Sequence, residues 1–199
     1  MKTNVTQRTA KQKALSRRLG RLRKQTGELS LIEAGAVLGA AALLAVALFL
    51  GVPFVRNMVQ SSSFTSEAGM FHSGIQNATQ NDADFSGETM TSLAQNHAFD
   101  AAGARVASDY STVTGIFGGA VTAVPGKVTT ANDAIVTSYP VPKAVCSMSV
   151  SALVNTFTEV TVNGTVVSSP TTTFNSATAG TACGSAGNVA TVGLYTTRS

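Results

Sequence analysis

The sequence lacks most of the residue patterns on which enzymes depend. It has no Trp, three Tyr and two Cys among 199 residues, so we expect a core that is not rich in aromatic side chains. No G-x-S-x-G motif occurs, and the glycines of residues 115–126 complete neither a dinucleotide fingerprint nor a P-loop. His72 and His97 have no ligand pattern near them, which favours packing or solvent contact over metal binding. An enzyme is therefore the least supported class, and we expect no catalytic residue, cofactor or metal.

Positive charge is scarce after residue 27. Nine of the 14 Lys and Arg residues lie in residues 1–27, and the other five stand against ten acidic residues, a net charge of −5. The later part therefore lacks the basic surface, interleaved with aromatics, that is typical of nucleic-acid binding. A basic run directly before an apolar helix is far more often a topology signal than a site for RNA or lipid.

An uncharged run over residues 34–55 predicts a membrane span. Its 22 residues, at about 1.5 Å per residue in a helix, would cross a hydrocarbon core of roughly 30 Å. The basic residues before it place the N-terminus in the cytoplasm and residues from 56 on across the membrane. A secretory signal peptide fits less well, because the run is longer and no A-x-A site follows it. Glu33, at the start of this helix, is costly in lipid and predicts a partner.

The residues at this boundary resemble the processing and assembly site of type IV prepilins. A basic leader ends in Gly27, and Leu-Ser-Leu-Ile-Glu at residues 29–33 then opens the apolar helix. The resemblance implies that prepilin peptidase cuts here and methylates the new N-terminus, and that the freed helix packs into a filament core. It also implies an assembly platform and an ATPase as partners, and a pairing of Glu33 with the N-terminal amine of a neighbouring subunit.

The spacing departs from the family pattern by one residue. A cut after Gly27 makes Glu28 the first mature residue and Glu33 the sixth, whereas a cut before Leu29 makes Glu33 the fifth, as is usual in the family. We favour the cut after Gly27, because glycine lets an extended backbone approach an active site closely.

Small residues and a proline in the span suggest contacts between helices. Gly35 and Gly39 form a small-xxx-small pair, which lets helix backbones approach closely. Pro53 predicts a kink or a place where the helix locally unwinds. We count Gly35, Gly39 and Pro53, with Glu33, as candidate residues for subunit assembly.

The helix continues beyond the span. Apolar residues recur at helical intervals and predict a stripe that faces a sheet in the same chain: Phe64, Ala68, Phe71, Ile75 and Ala78. We therefore expect a leader over residues 1–27, a helix over 28–81 and an exported head over 82–199. Gly69 and Gly74 weaken the helix prediction.

The sequence predicts the structure of residues 82–126 less clearly than that of residues 134–195. Residues 87–109 have helix-compatible spacing and residues 115–126 predict a loop and a strand, while Asp82, Asp84 and Glu88 favour a loop role over calcium binding. Further on we predict a strand over Ala134–Tyr139 that Pro140 and Pro142 break, a helix over Ala144–Thr156, a hairpin at Asn163-Gly164 and a last strand over Asn188–Tyr195.

Cys146 and Cys183 are the two cysteines of the chain. In an exported protein an even count favours a disulfide, worth roughly 4 kcal/mol for a loop of this length, over free thiols or a metal pair. Residues 135–164 and 181–197 also resemble the C-terminal half of type IVb pilins, particularly the S-pilin group of thin conjugative pili, which is related to bundle-forming pilins. That resemblance implies an α+β fold: a long N-terminal helix on an antiparallel sheet, with the Cys146–Cys183 bond bounding a region on the filament exterior.

Three functions remain open at this point. The favoured one is the structural subunit of a type IVb pilus: a homopolymer, membrane-bound as a prepilin with a periplasmic head and then extracellular, with no nucleic acid bound by the mature domain. A minor pilin or pseudopilin of a secretion machine fits less well with the long leader and the disulfide. A single-span anchored binding domain would need neither Gly27 nor Glu33.

Overall fold

The structure is a computed structural model that describes the backbone of residues 31–185 and 187–198, and side chains at Ala42 and from Gly51 on. The chain divides into two compact units, Met1–Val52 and Pro53–Ser199, and all side-chain contacts reported below lie in the second. Among the described residues, no helix has both the length and the apolarity that crossing a membrane requires. The leader predicted over residues 1–27, and most side chains of the span predicted over residues 34–55, lie outside the described residues.

Helix α1 is the longest element, with 48 residues from Leu31 to Ala78, and it includes Pro53. The predicted apolar stripe is confirmed from Phe64 to Ile75, where its four members are at most 1% exposed. Gly74 also has a packing reason, because a Cβ there would collide with the backbone carbonyl of Ala98. The glycine that weakens the helix in sequence thus lets the following segment lie against it.

The remaining elements build a sheet with short helices around it. The first of them are α2 (Met90–Gln95), a 3₁₀ turn (Asp100–Arg105), β1 (Val113–Thr114) and β2 (Ala120–Gly126). The others are β3 (Ala134–Pro142), α3 (Lys143–Leu153), β4 (Glu159–Val162), β5 (Thr165–Ser168), α4 (Ser176–Gly184) and β6 (Val189–Thr197). In the described part of the chain these strands form one sheet in the order β1-β2-β3-β6-β4-β5, and every pair is antiparallel. The predicted α+β fold is confirmed.

The hairpin prediction at Asn163-Gly164 is confirmed. Both residues have positive φ, 50° and 81°, which is the conformation of a type I′ turn. The Asn163 side chain also donates from Nδ2 to the carbonyl of Ala182 at 2.7 Å and accepts from the amide of Thr191 at 2.8 Å. One asparagine therefore makes the turn and attaches it to α4 and β6.

The prediction that two prolines end β3 is wrong. β3 continues through Pro140 and Pro142, which pair with Thr191 and Val189 of β6. Pairing with β2 stops at Ser138, so beyond that residue one side of β3 has no strand neighbour in the described sheet. A missing N–H is tolerated on such an open side.

The expectation of a core poor in aromatics is also wrong. Five rings form one cluster, two of them from α1 and three from later parts of the chain: Phe64, Phe71, Phe99, Phe117 and Tyr139. The ring centroids of Phe64 and Tyr139 are 4.8 Å apart, and those of Phe71 and Phe99 are 5.0 Å apart. The nine phenylalanines are spread along the sequence, and only the fold brings these together with the tyrosine.

The disulfide joins α3 to α4. Cys146 and Cys183 are buried, with Cα atoms 5.9 Å apart. The sequence did not predict helix α4, because its small residues show no apolar stripe. It begins at Asn175, whose side chain accepts hydrogen bonds from the amides of Ala177 (2.9 Å) and Thr178 (3.1 Å).

Candidate assembly surface

Most residues predicted for processing and assembly have no described side chain. Gly27, Glu28 and Leu29 lie outside the described residues. Glu33, Gly35 and Gly39 lie within α1, where the structure describes the backbone alone at these positions. Pro53 is exposed on the same helix. The roles of these residues stay predictions.

A group of exposed apolar side chains, here called the collar, lies along one side of the next part of α1. It consists of Phe54 (62% exposed), Val55 (58%), Met58 (59%) and Val59 (61%). Their spacing of one, four and five residues puts them on one side of the helix. Contiguous exposed apolar residues of this kind mark a surface that contacts another molecule.

A groove between α1 and α3 adjoins the collar. Its volume is about 570 Å³, and it is lined by Met58, Ser61, Ser62 and Thr65 of α1 and by Met148 and Ala152 of α3. Below it, the buried hydroxyls of Ser61 and Ser149 hydrogen-bond to each other at 2.8 Å. Small side chains on facing helices leave room for a third element to approach closely. Met58 belongs to both features, so the collar and the groove form one continuous surface.

A charged group is buried on the opposite side of the same helix. Glu67 is 4% exposed and receives hydrogen bonds from the two terminal guanidinium nitrogens of Arg105, Nη1 and Nη2, and from the hydroxyl of Tyr139. Arg105 also donates to the backbone carbonyl of Thr114 at 2.7 Å, and Tyr139 accepts from the amide of Ile116 at 2.6 Å. The cluster thus ties α1 to the 3₁₀ turn, to β1 and to β3.

The electrostatics of this cluster follow from burial and pairing. Burial, and then the hydrogen bond to Glu67, raise the pKa of Tyr139 above its usual value, so the phenol stays a donor. The hydrogen bond with Glu67 raises the pKa of Arg105. Every oxygen of the buried carboxylate has a donor, so the group holds the fold in place and offers no reactive atom.

Sequence analysis missed this cluster, although one signal was present. Glu67 lies three residues after Phe64 and four before Phe71, on the face that the apolar stripe defines. A carboxylate inside such a stripe needs a buried cation. Its partner, Arg105, lies in residues 87–109, where the sequence pattern predicts little more than helix-compatible spacing. The pairing itself was therefore not predictable.

The other titratable candidates have local structural roles. His72 packs edge-on against Phe157 with its Nδ1 3.0 Å from the hydroxyl of Thr196, and burial lowers its pKa. Asp84 accepts hydrogen bonds from the amide and hydroxyl of Ser86. Among the described residues, no three His, Cys, Asp or Glu side chains come together as metal ligands. The collar and the groove are therefore the candidate contact surface.

Comparison with known proteins identifies the family. No curated protein matches the chain. A solved structure of TcpA, a type IV pilin from Vibrio cholerae El Tor biotype, is similar at 16% sequence identity with a TM-score of 0.44, over 66% of this chain and 97% of that chain. A family model described as PilS N terminal matches residues 59–197, which is more than half of the chain. The collar ends where that match begins, and the aromatic cluster, the disulfide and the sheet all lie within it. The chain belongs to the PilS family of type IV pilins.

Proposed function

We propose that the chain is the structural subunit of a type IVb pilus, made as a prepilin and polymerised through helix α1. Prepilin peptidase removes residues 1–27 and methylates Glu28. Before assembly, residues 34–55 hold the subunit in the inner membrane with the head in the periplasm. The assembly platform and its ATPase then move the helix into an extracellular filament that serves conjugation, adhesion or aggregation.

The apolar collar is the observation that carries this proposal. Pilins are filament subunits, and a subunit that polymerises through a helix needs apolar residues that its own head leaves uncovered. Phe54, Val55, Met58 and Val59 are 58–62% exposed on α1. Burying them against neighbouring subunits would stabilise the polymer at roughly 25 cal/mol per Å² of apolar surface.

The groove beside the collar supports a lateral contact in the same assembly. Its serine and alanine lining lets the backbone of a neighbouring helix come close, as small residues do where helices pack in apolar surroundings. Glu33, near the start of the span, would meet the N-terminal amine of a neighbour, because a carboxylate buried in a filament core needs a cation.

The first test is the intact mass and the N-terminal sequence of protein sheared from the cell surface. We expect a chain that begins at Glu28, carries one added methyl group and is two hydrogens lighter than the reduced chain. A start at Leu29 would move the cut by one residue and leave the filament proposal standing. A full-length chain found solely in the membrane fraction would overturn it.

A matched pair of variants tests the collar. Met58→Ser should abolish or strongly reduce sheared filaments, whereas Met70→Ser, on the same helix and 50% exposed, should leave them near the normal yield. Both proteins should fold equally well, since neither side chain is in the core. Equal filament yields from the two variants would contradict a special role for the collar.

A second variant tests the predicted carboxylate. Glu33→Ala should still be inserted and cleaved but should assemble poorly, because the neighbour's amine loses its partner. Asp82→Ala, which removes a carboxylate outside α1, is the control and should assemble normally. A normal filament yield from Glu33→Ala would count heavily against the pairing.

A further inference from the structure

An open cavity lies on the head within the segment that joins α1 to the sheet. It has a volume of about 380 Å³ and is lined by His97, Asp100, Gly103, Val106, Ser108 and Tyr110, together with Ala107. Small-molecule sites span roughly 300–1,000 Å³, so this one suits a ligand of the size of a mono- or disaccharide. Neither the collar nor the groove shares a residue with it.

The backbone beside this cavity is strained at one residue. Four non-glycine residues of the described chain have positive φ: His97 (63°), Tyr110 (59°), Asn132 (58°) and Asn163 (50°). Asparagine and histidine are both enriched in this conformation, and His97 directly follows the C-cap of α2, where positive φ is usual. A tyrosine there is an outlier that costs about 1–3 kcal/mol. Tyr110 is therefore the outlier among these four residues, and it lines the cavity. Strain of this kind clusters at binding and catalytic sites.

Tyr110 is presented by a tight and well-bonded turn. The amide of Ala107 donates to the carbonyl of Thr112, and the amide of Tyr110 donates to the carbonyl of Ala107, both at 2.9 Å. Asp109 accepts from the amide of Ser111 at 3.1 Å and from its hydroxyl at 2.8 Å. A glycine at position 110 would make this turn without strain. The tyrosine is held there, 38% exposed, at the cost of stability.

A polar pair faces the same cavity. Nδ1 of His97 is 3.1 Å from a carboxylate oxygen of Asp100, and both side chains are about 70% exposed, at 72% and 70%. Because a carboxylate accepts hydrogen bonds, the imidazole donates from Nδ1, and Nε2 remains as a further polar atom. The second carboxylate oxygen and the hydroxyl of Ser108 add acceptors. Val106 and Ala107 supply apolar contact, and Gly103 leaves room for a ring.

From this combination we infer that the cavity binds a sugar ring of a neutral surface polysaccharide. A pyranose has an apolar face that stacks on the Tyr110 ring, and hydroxyl groups that donate to Asp100 and to neighbouring acceptors. The described residues that line the cavity include no Lys or Arg, so it does not suit a phosphate or carboxylate ligand. A pilus subunit with such a site would hold one saccharide contact per copy, and repetition along a filament would strengthen weak single contacts.

The test is saturation-transfer NMR on the full chain in a detergent without sugar or choline head groups. The probes are the methyl glycosides of glucose, galactose and N-acetylglucosamine, with choline as a cationic comparison. We expect saturation of the ring protons of at least one glycoside. Binding of choline alone, or no binding of any glycoside by the unchanged protein, would overturn the inference.

Two variants locate the site. Tyr110→Gly should bind the glycoside about tenfold more weakly, the loss expected for one aromatic contact, while its thermal midpoint stays equal or rises because the strain is gone. Asn132→Gly relieves a similar φ outside the cavity and should bind normally. His97→Asn keeps a residue that tolerates positive φ and should also weaken binding. Unchanged affinity in both Tyr110→Gly and His97→Asn would contradict the site, and neither variant should affect filament yield.

Discussion

Two adjacent parts of helix α1 have similar apolar residues and opposite environments. Phe54, in the collar, is 62% exposed, whereas Phe71, in the buried stripe, is 1% exposed. Residue type and helical conformation are the same, so the difference comes from what lies opposite. The sheet and the aromatic cluster cover the second part, and the head leaves the first part uncovered. One helix therefore stabilises its own domain along one part and leaves apolar side chains uncovered along the other.

The largest expected effect is on the free energy of unfolding, which should fall much more when a phenylalanine of the buried stripe is replaced than when one of the collar is replaced. Phe71→Ala should destabilise the head by about 3–5 kcal/mol, since it removes a core ring and leaves a cavity beside Phe99. Phe54→Ala should change the free energy of unfolding by less than about 0.5 kcal/mol, because its ring is in solvent. Thermal unfolding of the full chain, followed by circular dichroism, measures both.

The collar variant should be the one that fails in assembly while its head remains folded. Phe54→Ala should lower the filament yield although the head is intact. If Phe54→Ala melted as early as Phe71→Ala, the collar would be part of the core and the comparison would fail.

The next effect concerns the buried charge on the second part of α1. Glu67→Ala leaves Arg105 and Tyr139 without their acceptor and should cost about 2–3 kcal/mol, less than for a fully buried pair because the Arg105 side chain is 31% exposed. Asp100→Ala, which breaks an exposed pair with His97, should leave the thermal midpoint nearly unchanged.

A double replacement sharpens this prediction. Glu67→Met combined with Arg105→Met removes both charges and should be more stable than Glu67→Ala, because no buried charge is left unpaired. A double variant as unstable as the single one would show that the carboxylate matters for a reason other than this pairing.

The pH dependence of stability tests the same cluster. The pKa of Tyr139 is raised above its usual value of 10.0 by burial and by the hydrogen bond to Glu67. Above pH 10 the unfolded chain therefore loses this proton more readily than the folded chain, and stability falls as the pH rises. Tyr139→Phe should reduce that slope, with a remainder from Tyr195, whose pKa burial also raises. Urea unfolding between pH 8 and about pH 11 measures the slope, and an unchanged slope would contradict the assignment.

The smallest expected loss of stability is at Ser61, which lies between the collar and the buried stripe of α1. Ser61→Ala removes a buried hydrogen bond to Ser149 and should cost about 1 kcal/mol. Ser62→Ala changes an exposed neighbour and should cost close to nothing. Equal thermal midpoints for the two variants would mean that the boundary between the collar and the buried stripe lies further along α1.

Local patterns in the sequence predicted much of the second half of the chain. Asn163-Gly164 specified its turn by backbone chemistry alone, and the apolar stripe of α1 specified its buried face by spacing. The disulfide between Cys146 and Cys183 followed from the cysteine count together with the family resemblance. These features depend on residues near each other in sequence, or on so few residues that one pairing remains.

The features that were missed depend on distant contacts. Pro140 and Pro142 stay in β3 because β2 ends early, which no local pattern reveals. Helix α4 is held by its Asn175 cap and by Cys183 rather than by an apolar face. The aromatic cluster draws on α1, the joining segment and β3, and its members are up to 75 positions apart in the sequence, from Phe64 to Tyr139.

The sequence by itself determined the long helix through its helical spacing and the hairpin through its turn residues, and its resemblance to type IV pilins indicated the family and the α+β class. Tertiary structure alone decided that β6 lies between β3 and β4, that Glu67 pairs with Arg105, and which part of α1 is covered. Burial and pairing across the fold depend on what the chain places opposite each residue. Two identical side chains on one helix, Phe54 and Phe71, can therefore be told apart only in the folded molecule.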